Sequence, residues 1–361
     1  MLRIWIFLLL TLASGADPAI RVALTVDARH IDLKATSWKG HPEWPAQIRL
    51  QAKDQGIAVA GQVYPSPLLL DPAHERFSYS GVQHVGRLSV RKAGDRLVLV
   101  DRLPLETYLA GVLCGEISAD WPRTTLQAHT IASRTYAAYM STTPRGPDYD
   151  VACTTLDQVY AGQSSVSDWL LQLVASTRGQ VLCQADGTPI KAYYCSHCGG
   201  NSSPSGPVFG SDVPALPPVK DPYCAGYPRS QWTVTVGPDL LRKAATSKGL
   251  SWPLTVCKVD GYDESGRIAF WNLEDGKGGV ARLSGHEFRM AVGPRQLPST
   301  RCKLLSGGES LTLAGSGWGH GVGLCQWGSY EMGQRGMTAR QILSHYYPTC
   351  SLRDWAKRNQ S

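Results

Sequence analysis

The sequence predicts a strand-rich α+β fold with two lobes, and three stretches of the chain support that prediction. Residues 20–105 alternate apolar and polar positions between Gly, Pro and Asp residues, a pattern typical of short strands. Residues 106–142 instead place apolar residues at helical spacing. Residues 224–305 return to strand-like runs around one helix at Pro238–Ser247, which indicates an inserted or second lobe. With 361 residues, 43% of them hydrophobic, the chain can bury a substantial core.

The first sixteen residues, MLRIWIFLLLTLASGA, have the features of a secretory signal. One basic residue precedes the apolar stretch Ile4–Leu12, and small residues follow at Ser14–Ala16. The apolar stretch is too short to span a bilayer comfortably, and no comparable run follows it. We therefore expect an exported soluble protein of the periplasm or cell envelope, at most peripheral to the membrane. Cleavage after Ala16 and retention as an anchor both stay open.

The charge of the chain bears on its partners. A net charge of +7 favours anionic partners such as cell-wall polymers. The basic residues are spread out, and no Lys/Arg-rich run of the kind that binds nucleic acid is present. No nucleic-acid partner is therefore expected. The stretch at 315–328 holds six glycines around His320 but lacks the lysine and hydroxyl of a P-loop, so nucleotide binding is not expected either.

Ten cysteines are present, an even number that permits disulfides in an exported chain. Cys198 and Cys224 flank a Pro-rich segment and are our favoured pair, although the sequence does not determine connectivity. The spacing of Cys195 and Cys198 is compatible with redox chemistry or metal binding, but no second ligand pair completes a set of four. We therefore expect no metal and no cofactor, and buried free thiols are the alternative for several of the ten.

One carboxylate is distinguished by its position in the helical stretch. A buried helix face is predicted by four apolar residues at helical spacing: Tyr108, Leu109, Val112 and Leu113. Glu116 follows at the end of this run, and Asp120-Trp-Pro122 predicts the start of a second helix. On that second helix, Gln127, Thr130 and Arg134 share one face, close in sequence to Glu116. The residues alone leave two interpretations open: a catalytic Glu116, or a surface carboxylate beside an ordinary amphipathic helix.

Smaller signals predict further local structure. Lys92–Asp95 lies between two strand-like runs and predicts a hairpin turn. Residues 164–190 predict a helix followed by a strand, and residues 201–223, with six prolines, predict an ordered loop or lid. Met337–Tyr347 predicts a terminal helix that ends before Pro348.

Four stretches carry motifs in a fixed order: YLAGVLCGEISADWP at 108–122, LQAHTIASRTYA at 126–137, AYYCSHCGG at 192–200, and GWGHGVGLCQWGSYEMGQRGMTARQILSHYYP at 317–348. In this order they resemble the SpoIID/LytB family of cell-wall proteins, and the resemblance covers nearly the whole chain. It implies a catalytic-type helix that borders a cleft. It also implies five parts: signal peptide 1–16, N-terminal strand-rich part 17–105, central cleft-forming part 106–223, inserted or second lobe 224–305, and C-terminal Gly-rich loop and helix 306–361.

The resemblance implies that the substrate is the glycan strand of peptidoglycan and that the reaction is that of a lytic transglycosylase. An ordinary glycosidase uses two carboxylates, whereas this reaction needs one acid/base, because the nucleophile is the sugar's own 6-hydroxyl. Glu116 would be that group, and Arg134 would orient the carboxylate or a substrate oxygen. Substrate-binding roles are implied for eight residues: Gln127, Gln158, Tyr193, Ser196, His197, His320, Gln326 and Trp327.

As an acid, Glu116 requires a raised pKa. Apolar neighbours such as Leu113, Ile117 and Trp121 would raise the pKa, whereas the helix N-terminus near Pro122 would lower it. The sequence does not decide between these effects.

The chain departs from the family pattern at one place. Many relatives carry a His-Cys pair before Gln-Val-Tyr, whereas this chain has Leu156 and Asp157, which argues against a metal site there. The departure supports a second interpretation: a non-catalytic peptidoglycan-binding module that stimulates a cell-wall amidase. A third, a thiol oxidoreductase using Cys195 and Cys198, has little support because no thioredoxin-like βαβ pattern surrounds them.

Overall fold

The structure is a computed structural model that describes residues 18–228 and 230–355. The predicted signal peptide, residues 1–16, lies outside the described residues. Within them the chain forms eight α-helices and several β-sheets, which confirms the mixed α+β class. No helix in the described part is both long enough and apolar enough to cross a membrane.

The N-terminal part consists of ten short strands: β1 (Ala19–Ala28), β2 (His30–Lys34), β3 (Gln47–Lys53), β4 (Gly56–Val59), β5 (Gln62–Tyr64), β6 (Leu68–Leu70), β7 (Arg76–Tyr79), β8 (Val82–Val85), β9 (Arg87–Ala93) and β10 (Arg96–Pro104). A later strand, β11 (Val151–Ala152), joins four of them in a five-stranded sheet of order β11-β1-β10-β9-β6. The other six form a second sheet of order β5-β4-β3-β2-β7-β8. Buried apolar residues from both sheets contribute to one hydrophobic cluster.

The alternating pattern of these strands confirms the sequence prediction. In β3, Ile48 and Leu50 are buried while the residues between and before them are exposed, because successive side chains of a strand point to opposite faces. The predicted turn at Lys92–Asp95 is also confirmed, since β9 and β10 pair antiparallel with Ala93 opposite Arg96.

The predicted helical stretch contains two helices, α1 (Leu105–Glu116) and α2 (Arg123–Thr142), with Pro122 at the N-cap of the second. The four apolar residues predicted to be buried on α1 are each at most 1% exposed, which confirms that face. Glu116 is the last residue of α1.

Four elements follow β11: helix α3 (Asp168–Ala175), strands β12 (Gln180–Cys183) and β13 (Tyr194–Cys195), and the single helical turn α4 (Gly206–Phe209). Helix α3 and strand β12 confirm the prediction for residues 164–190. The Pro-rich segment ends in a 3-10 turn at Pro222–Cys224.

Residues 231–316 contain eight elements: β14 (Gln231–Val236), α5 (Pro238–Thr246), β15 (Leu254–Tyr262), β16 (Ile268–Asp275), β17 (Val280–Ser284), α6 (Gly285–Val292), β18 (Cys302–Ser306) and β19 (Leu311–Ser316). They form two three-stranded sheets around a separate hydrophobic cluster, in which the buried Trp271 stacks on Phe288. Helix α6 was not predicted from the sequence. Ser284 and Glu287 form a capping box at its start, which is a sequence signal for a helix N-terminus.

The C-terminal part contains four elements: β20 (Leu324–Cys325), α7 (Gln326–Gln334), α8 (Ala339–Tyr346) and β21 (Ser351–Asp354). Helix α8 confirms the predicted terminal helix. Strand β20 pairs in parallel with β13, which places Tyr194 opposite Leu324, and β21 pairs with β12. These pairings return the chain to the central part after residues 231–316.

Helix α2 connects the N-terminal and C-terminal parts. It contacts α1, α3, α7, α8 and β12, and its residues belong to three hydrophobic clusters. The Thr125 hydroxyl donates to the Ser329 carbonyl of α7 at 2.8 Å, and the Leu182 N–H of β12 donates to Thr135 Oγ1 at 2.9 Å. Thr125 and Thr135 of the buried helix α2 thus bond to backbone groups of neighbouring elements, whereas the ring nitrogens of the buried His129 have no hydrogen-bond partner.

Candidate active site

Glu116 lies where the loop of residues 157–162 packs against the C-terminal end of α1. The N–H of Val159 donates to Glu116 Oε1 at 2.7 Å. Two glycines of α1 allow this approach: a Cβ on Gly115 would lie 2.3 Å from the Val159 carbonyl oxygen, and one on Gly111 would lie 2.4 Å from the Tyr160 ring. The absence of side chains on α1 therefore lets a backbone donor reach the carboxylate.

Two further side chains hydrogen-bond to the Glu116 carboxylate, Tyr194 from β13 and Gln326 from the start of α7. Gln326 Nε2 also donates to the Glu116 backbone carbonyl at 3.3 Å. The pairing of β13 with β20 brings these two residues together, because β20 leads directly into α7. Three segments that are distant in sequence thus converge on one carboxylate.

These surroundings raise the pKa of Glu116. Burial is the largest influence, because it disfavours the charged form of the carboxyl group. The hydrogen bonds from Val159, Tyr194 and Gln326 stabilise the carboxylate and lower the pKa, but they do not outweigh burial. The protonated form of Glu116 therefore persists to higher pH than that of an exposed glutamate.

A chain of buried hydrogen bonds fixes the Tyr194 hydroxyl. The Tyr108 hydroxyl donates to Gln158 Oε1 at 3.1 Å, and Gln158 Nε2 donates to the Tyr194 oxygen at 3.1 Å. Because the Tyr194 oxygen accepts this bond, its own proton can point toward Glu116. Gln158 is fully buried and supports Tyr194 from behind, and its substrate contact stays a prediction.

The structure contradicts the predicted position of Arg134 beside Glu116. The Arg134 guanidinium forms a bidentate ion pair with Glu106, with both N–H···O distances at 2.8 Å. It also donates to the Thr177 hydroxyl and to the Gln180 carbonyl, and it is 1% exposed. Arg134 therefore fastens α1 and α2 to the connection between α3 and β12.

Gln127 lies on the same face of α2, away from Glu116, and its substrate contact stays a prediction. Its Nε2 donates to Ser176 Oγ at 3.1 Å, at the end of α3. Helical spacing correctly placed Gln127 and Arg134 on one face. That face packs on α3, whereas Glu116 meets the 157–162 loop and the β13–α7 region.

His197 also differs from its predicted role as a substrate contact. Its side chain is in a buried turn and the residue is 2% exposed. Nδ1 accepts the N–H of Gly199 at 3.0 Å, so Nε2 carries the proton and donates to the Cys224 carbonyl at 2.8 Å. His197 thus joins the turn after β13 to the 3-10 turn at Pro222–Cys224.

Trp327 belongs to an aromatic group of four half-buried side chains: Trp121, Tyr227, Trp327 and Tyr330. Trp327 stacks on Tyr227 with ring centroids 4.8 Å apart, and Trp121 lies 4.9 Å from Trp327. Ser196 positions the group, since its carbonyl accepts the Trp327 N–H at 3.2 Å. Trp121 lies only five residues after Glu116, so the group lies near the candidate acid in sequence.

Tyr193 and His320 form a second aromatic group with Phe209. Tyr193 stacks on Phe209 at 4.2 Å, and the His320 ring lies 5.1 Å from Phe209. Burial and the neighbouring Arg289 lower the pKa of His320 to about 3, so this histidine is neutral at physiological pH. Adjacent residues of an extended segment point to opposite sides, so Tyr193 faces this group while Tyr194 faces Glu116.

Asp157, at the place where the chain departs from the family pattern, is fully occupied by structural contacts. It forms an ion pair with Arg145, and it accepts hydrogen bonds from the Tyr136 hydroxyl at 2.7 Å and the Ala152 N–H at 2.8 Å. Leu156 beside it is 64% exposed. Asp157 therefore supports the loop through an ion pair and two hydrogen bonds.

Comparison with known proteins identifies the segment that carries Glu116. The profile of the family described as "Stage II sporulation protein", SpoIID, matches residues 93–183. This match supports the resemblance of the chain to the SpoIID/LytB family. Stage II sporulation protein D of Bacillus subtilis is 27% identical over 69% of this chain and 74% of its own length. The amidase enhancer of the same organism is 27% identical over 68% of this chain, which spans 40% of that protein. An uncharacterized protein of Brachyspira hyodysenteriae is 29% identical over 87% of this chain and 82% of its own.

The SpoIID segment supplies Glu116 and Val159, whereas Tyr194 and Gln326 come from outside it. The family resemblance implied a cleft-lining position for both Tyr193 and Tyr194, and only Tyr193 was assigned to substrate binding, whereas Tyr194 is the one beside Glu116. His129, whose ring packs edge-on against Tyr194 at 5.2 Å, was not predicted. Burial lowers the pKa of His129 to about 3, so it is a neutral neighbour. Strand parity alone does not reveal which of two adjacent tyrosines faces the acid.

We expect Arg134→Met to lower the free energy of unfolding by about 3–5 kcal/mol, because Glu106 then stays buried without its partner. Urea denaturation of the purified protein measures the change. The control is Arg49→Met, which breaks the exposed ion pair with Asp32 and should leave the free energy of unfolding nearly unchanged, because water screens exposed pairs. A stability of Arg134→Met close to that of the control would contradict the structural role.

We expect Gly115→Ala to destabilise the protein by about 1–3 kcal/mol, because the added methyl group overlaps the Val159 carbonyl. Displacement of Val159 also removes a hydrogen bond that lowers the pKa of Glu116, so this pKa should rise further. Denaturation and an NMR titration of the Glu116 carboxyl carbon measure the two effects. Gly237→Ala is the control, since no atom lies within 4 Å of its added Cβ. If both variants had the same free energy of unfolding and the same pKa of Glu116, the close contact between Gly115 and Val159 would be refuted.

Proposed function

We propose that the protein is a lytic transglycosylase that cleaves the glycan strands of peptidoglycan, with Glu116 as its single acid/base. The observation that carries the proposal is a half-buried carboxyl group with a raised pKa, held by donors from three segments. Similarity to the SpoIID family over residues 93–183 and the relative named amidase enhancer support a cell-wall-related role. We place the protein outside the cytoplasm, in the periplasm or cell envelope, and at most peripheral to the membrane.

The proposed reaction uses both protonation states of Glu116. The protonated carboxyl donates its proton to the glycosidic oxygen as the bond from that oxygen to C1 breaks. The resulting carboxylate accepts the proton of the 6-hydroxyl on the same sugar, whose oxygen forms the new bond to C1. The product is a 1,6-anhydro sugar, and no water is consumed. Since the nucleophile is part of the substrate, one carboxylate is sufficient.

The contacts of Glu116 suit this exchange between two charge states. Burial favours the protonated acid before the reaction, and the Val159 N–H, the Tyr194 hydroxyl and Gln326 stabilise the carboxylate once the proton has left. Asp157 does not serve as a second carboxylate in the proposal, because Arg145 and Tyr136 occupy its oxygens. The proposal therefore assigns Gln326 a positioning role at the acid in addition to any substrate contact.

The glycan would lie in a cleft bordered by the end of α1, with residues 224–305 as a second lobe. We assign sugar contacts to the two aromatic groups, one around Trp327 and one around Tyr193 and His320. Half-buried rings present flat apolar faces that can pack on the C–H faces of sugars while polar edges bind hydroxyl groups. Ser196 lies between these groups in the chain and completes the proposed contact surface.

A second candidate function is a non-catalytic module that binds peptidoglycan and stimulates an amidase. The relative named amidase enhancer favours it, as does the use of Asp157 in structural contacts. In that case the same surface binds glycan, and Glu116 acts as a hydrogen-bonding partner of a sugar hydroxyl.

We expect Glu116→Gln to abolish glycan cleavage and leave the fold intact, because the amide cannot donate and then accept the proton. Purified protein is incubated with peptidoglycan strands with and without stem peptides, and the products are analysed by mass spectrometry. Anhydro-muramic ends should form with wild type and with the exposed-site control Glu309→Gln, but not with Glu116→Gln. Anhydro-muramic ends produced by Glu116→Gln would exclude the mechanism. If wild type binds peptidoglycan but produces no such ends, the amidase-enhancing function is favoured.

We expect Tyr194→Phe to shift the pH dependence of cleavage. An acid works while protonated, so the rate falls as pH rises through the pKa of Glu116. The Tyr194 hydroxyl lowers this pKa, so its removal raises the pKa and moves the alkaline limb of the rate profile to higher pH. Tyr262→Phe, on an exposed strand end, is the control and should leave the limb in place. A downward shift for Tyr194→Phe would contradict the assigned contact.

A further inference from the structure

Four buried side chains with metal-ligand atoms converge beside the candidate active site: Cys198, Asp221, Cys224 and Cys325. Their sulfur and carboxylate oxygen atoms lie within 4.8 Å of one another, and each residue is 0% exposed. They come from three segments, namely the turn after β13, the 3-10 turn at Pro222–Cys224 and the residue before α7. The sequence spacing concealed this set, because its members lie up to 127 residues apart.

The distances fit ligands around one ion. Cys198 Sγ lies 3.6 Å from Cys224 Sγ and 3.2 Å from an Asp221 oxygen. Two thiolates on a tetrahedral Zn²⁺, each about 2.3 Å from the metal, are roughly 3.8 Å apart. A disulfide requires about 2.05 Å between the sulfurs. Cys198 and Cys224, the pair favoured from the sequence, are both free thiols in the structure.

The surroundings of the four groups resemble the outer shell of a metal site. The Cys198 N–H points at Cys325 Sγ at 3.2 Å, and the Gly328 N–H points at the same sulfur at 3.4 Å. Asp221 accepts the Tyr223 N–H at 3.0 Å through one oxygen and the Tyr346 hydroxyl at 3.0 Å through the other. Such outer hydrogen bonds orient metal ligands and stabilise their anionic forms.

The backbone is shaped around this cluster. A Cβ on Gly328 would lie 2.0 Å from the Tyr346 hydroxyl and 2.4 Å from the Asp221 carboxylate. Helix α7 therefore approaches the cluster along a side-chain-free surface. Buried groups that become anionic are expected to be paired or to bind a metal, and the structure brings four of them together in one place.

We infer that Cys198, Asp221, Cys224 and Cys325 form a structural zinc site. Three soft thiolates and one carboxylate in a compact set of four are ligands that suit tetrahedral Zn²⁺. All four positions are filled by the chain and buried, which is typical of a structural site rather than a catalytic one. The expectation of no metal, drawn from spacing alone, overlooked ligands from separate segments.

The site would stabilise the arrangement around Glu116. Cys198 follows the strand that carries Tyr194, and Cys325 immediately precedes Gln326. One ion bound to both cysteines would hold together the two segments that supply hydrogen bonds to Glu116. This inference does not rest on the proposed reaction, because it concerns metal content and stability.

The first test measures zinc in the purified full chain by plasma mass spectrometry after gel filtration in zinc-free buffer. We expect about one zinc per chain in wild type. Cys198→Ser and Cys325→Ser should lose it, whereas Cys257→Ser, a half-buried cysteine of β15, should keep it. A folded wild type without zinc, or a Cys198–Cys224 disulfide mapped in that protein, would overturn the inference, as would full zinc retention in both serine variants.

Two measurements keep the test decisive if the serine variants fail to fold. Wild type loaded with Co²⁺ should show the ligand-field bands of tetrahedral cobalt together with thiolate-to-cobalt charge transfer; their absence would overturn the inference. Tyr346→Phe keeps all four ligands but removes the hydroxyl that orients Asp221. It should weaken zinc affinity about 10- to 100-fold in a competition titration with a chelator, and unchanged affinity would remove Asp221 from the ligand set.

Discussion

The parallel pairing of β13 with β20 is the interaction on which the candidate site depends. It consists of only two residue pairs, Tyr194 with Leu324 and Cys195 with Cys325. A ladder this short is weak by itself and is stabilised by its surroundings: the Tyr347 hydroxyl donates to the Tyr193 carbonyl at 2.7 Å. Gly323 lies so close to the same carbonyl that a Cβ there would approach it to 1.9 Å. This contact fixes both the tyrosine and the glutamine that reach Glu116.

The long segment between β13 and β20 allows these strands to pair, because the two ends of residues 231–316 lie next to each other. Its first and last strands, β14 and β19, pair antiparallel, with Gln231 opposite Ser316. The segment also buries its own apolar residues around Trp271. The ends that connect it to the central part are therefore held side by side, and the entropy cost of a long connection is offset within the segment itself.

The sequence was informative where local pattern decides the structure. Alternation predicted the N-terminal strands, helical spacing predicted the buried face of α1, and family resemblance selected Glu116. It was uninformative where one element meets another. The shared face of Gln127 and Arg134 was predicted correctly, but this face packs on α3. No local sequence pattern predicted the buried ion pair between Arg134 and Glu106. Two further features depend likewise on tertiary contacts that no single stretch encodes. One is which of the adjacent residues Tyr193 and Tyr194 faces Glu116, and the other is the approach of cysteines from three separate segments.

The positions of the three donors to Glu116 along the chain have a consequence for the order in which the protein can mature. The Val159 contact joins residues 43 apart and can form early, whereas the Gln326 contact spans 210 residues. Contacts between residues so far apart form late in folding, since long loops must close first. A nascent chain therefore holds Glu116 without its full set of partners. The carboxyl group acquires its final environment only when almost the entire polypeptide has been synthesised and folded.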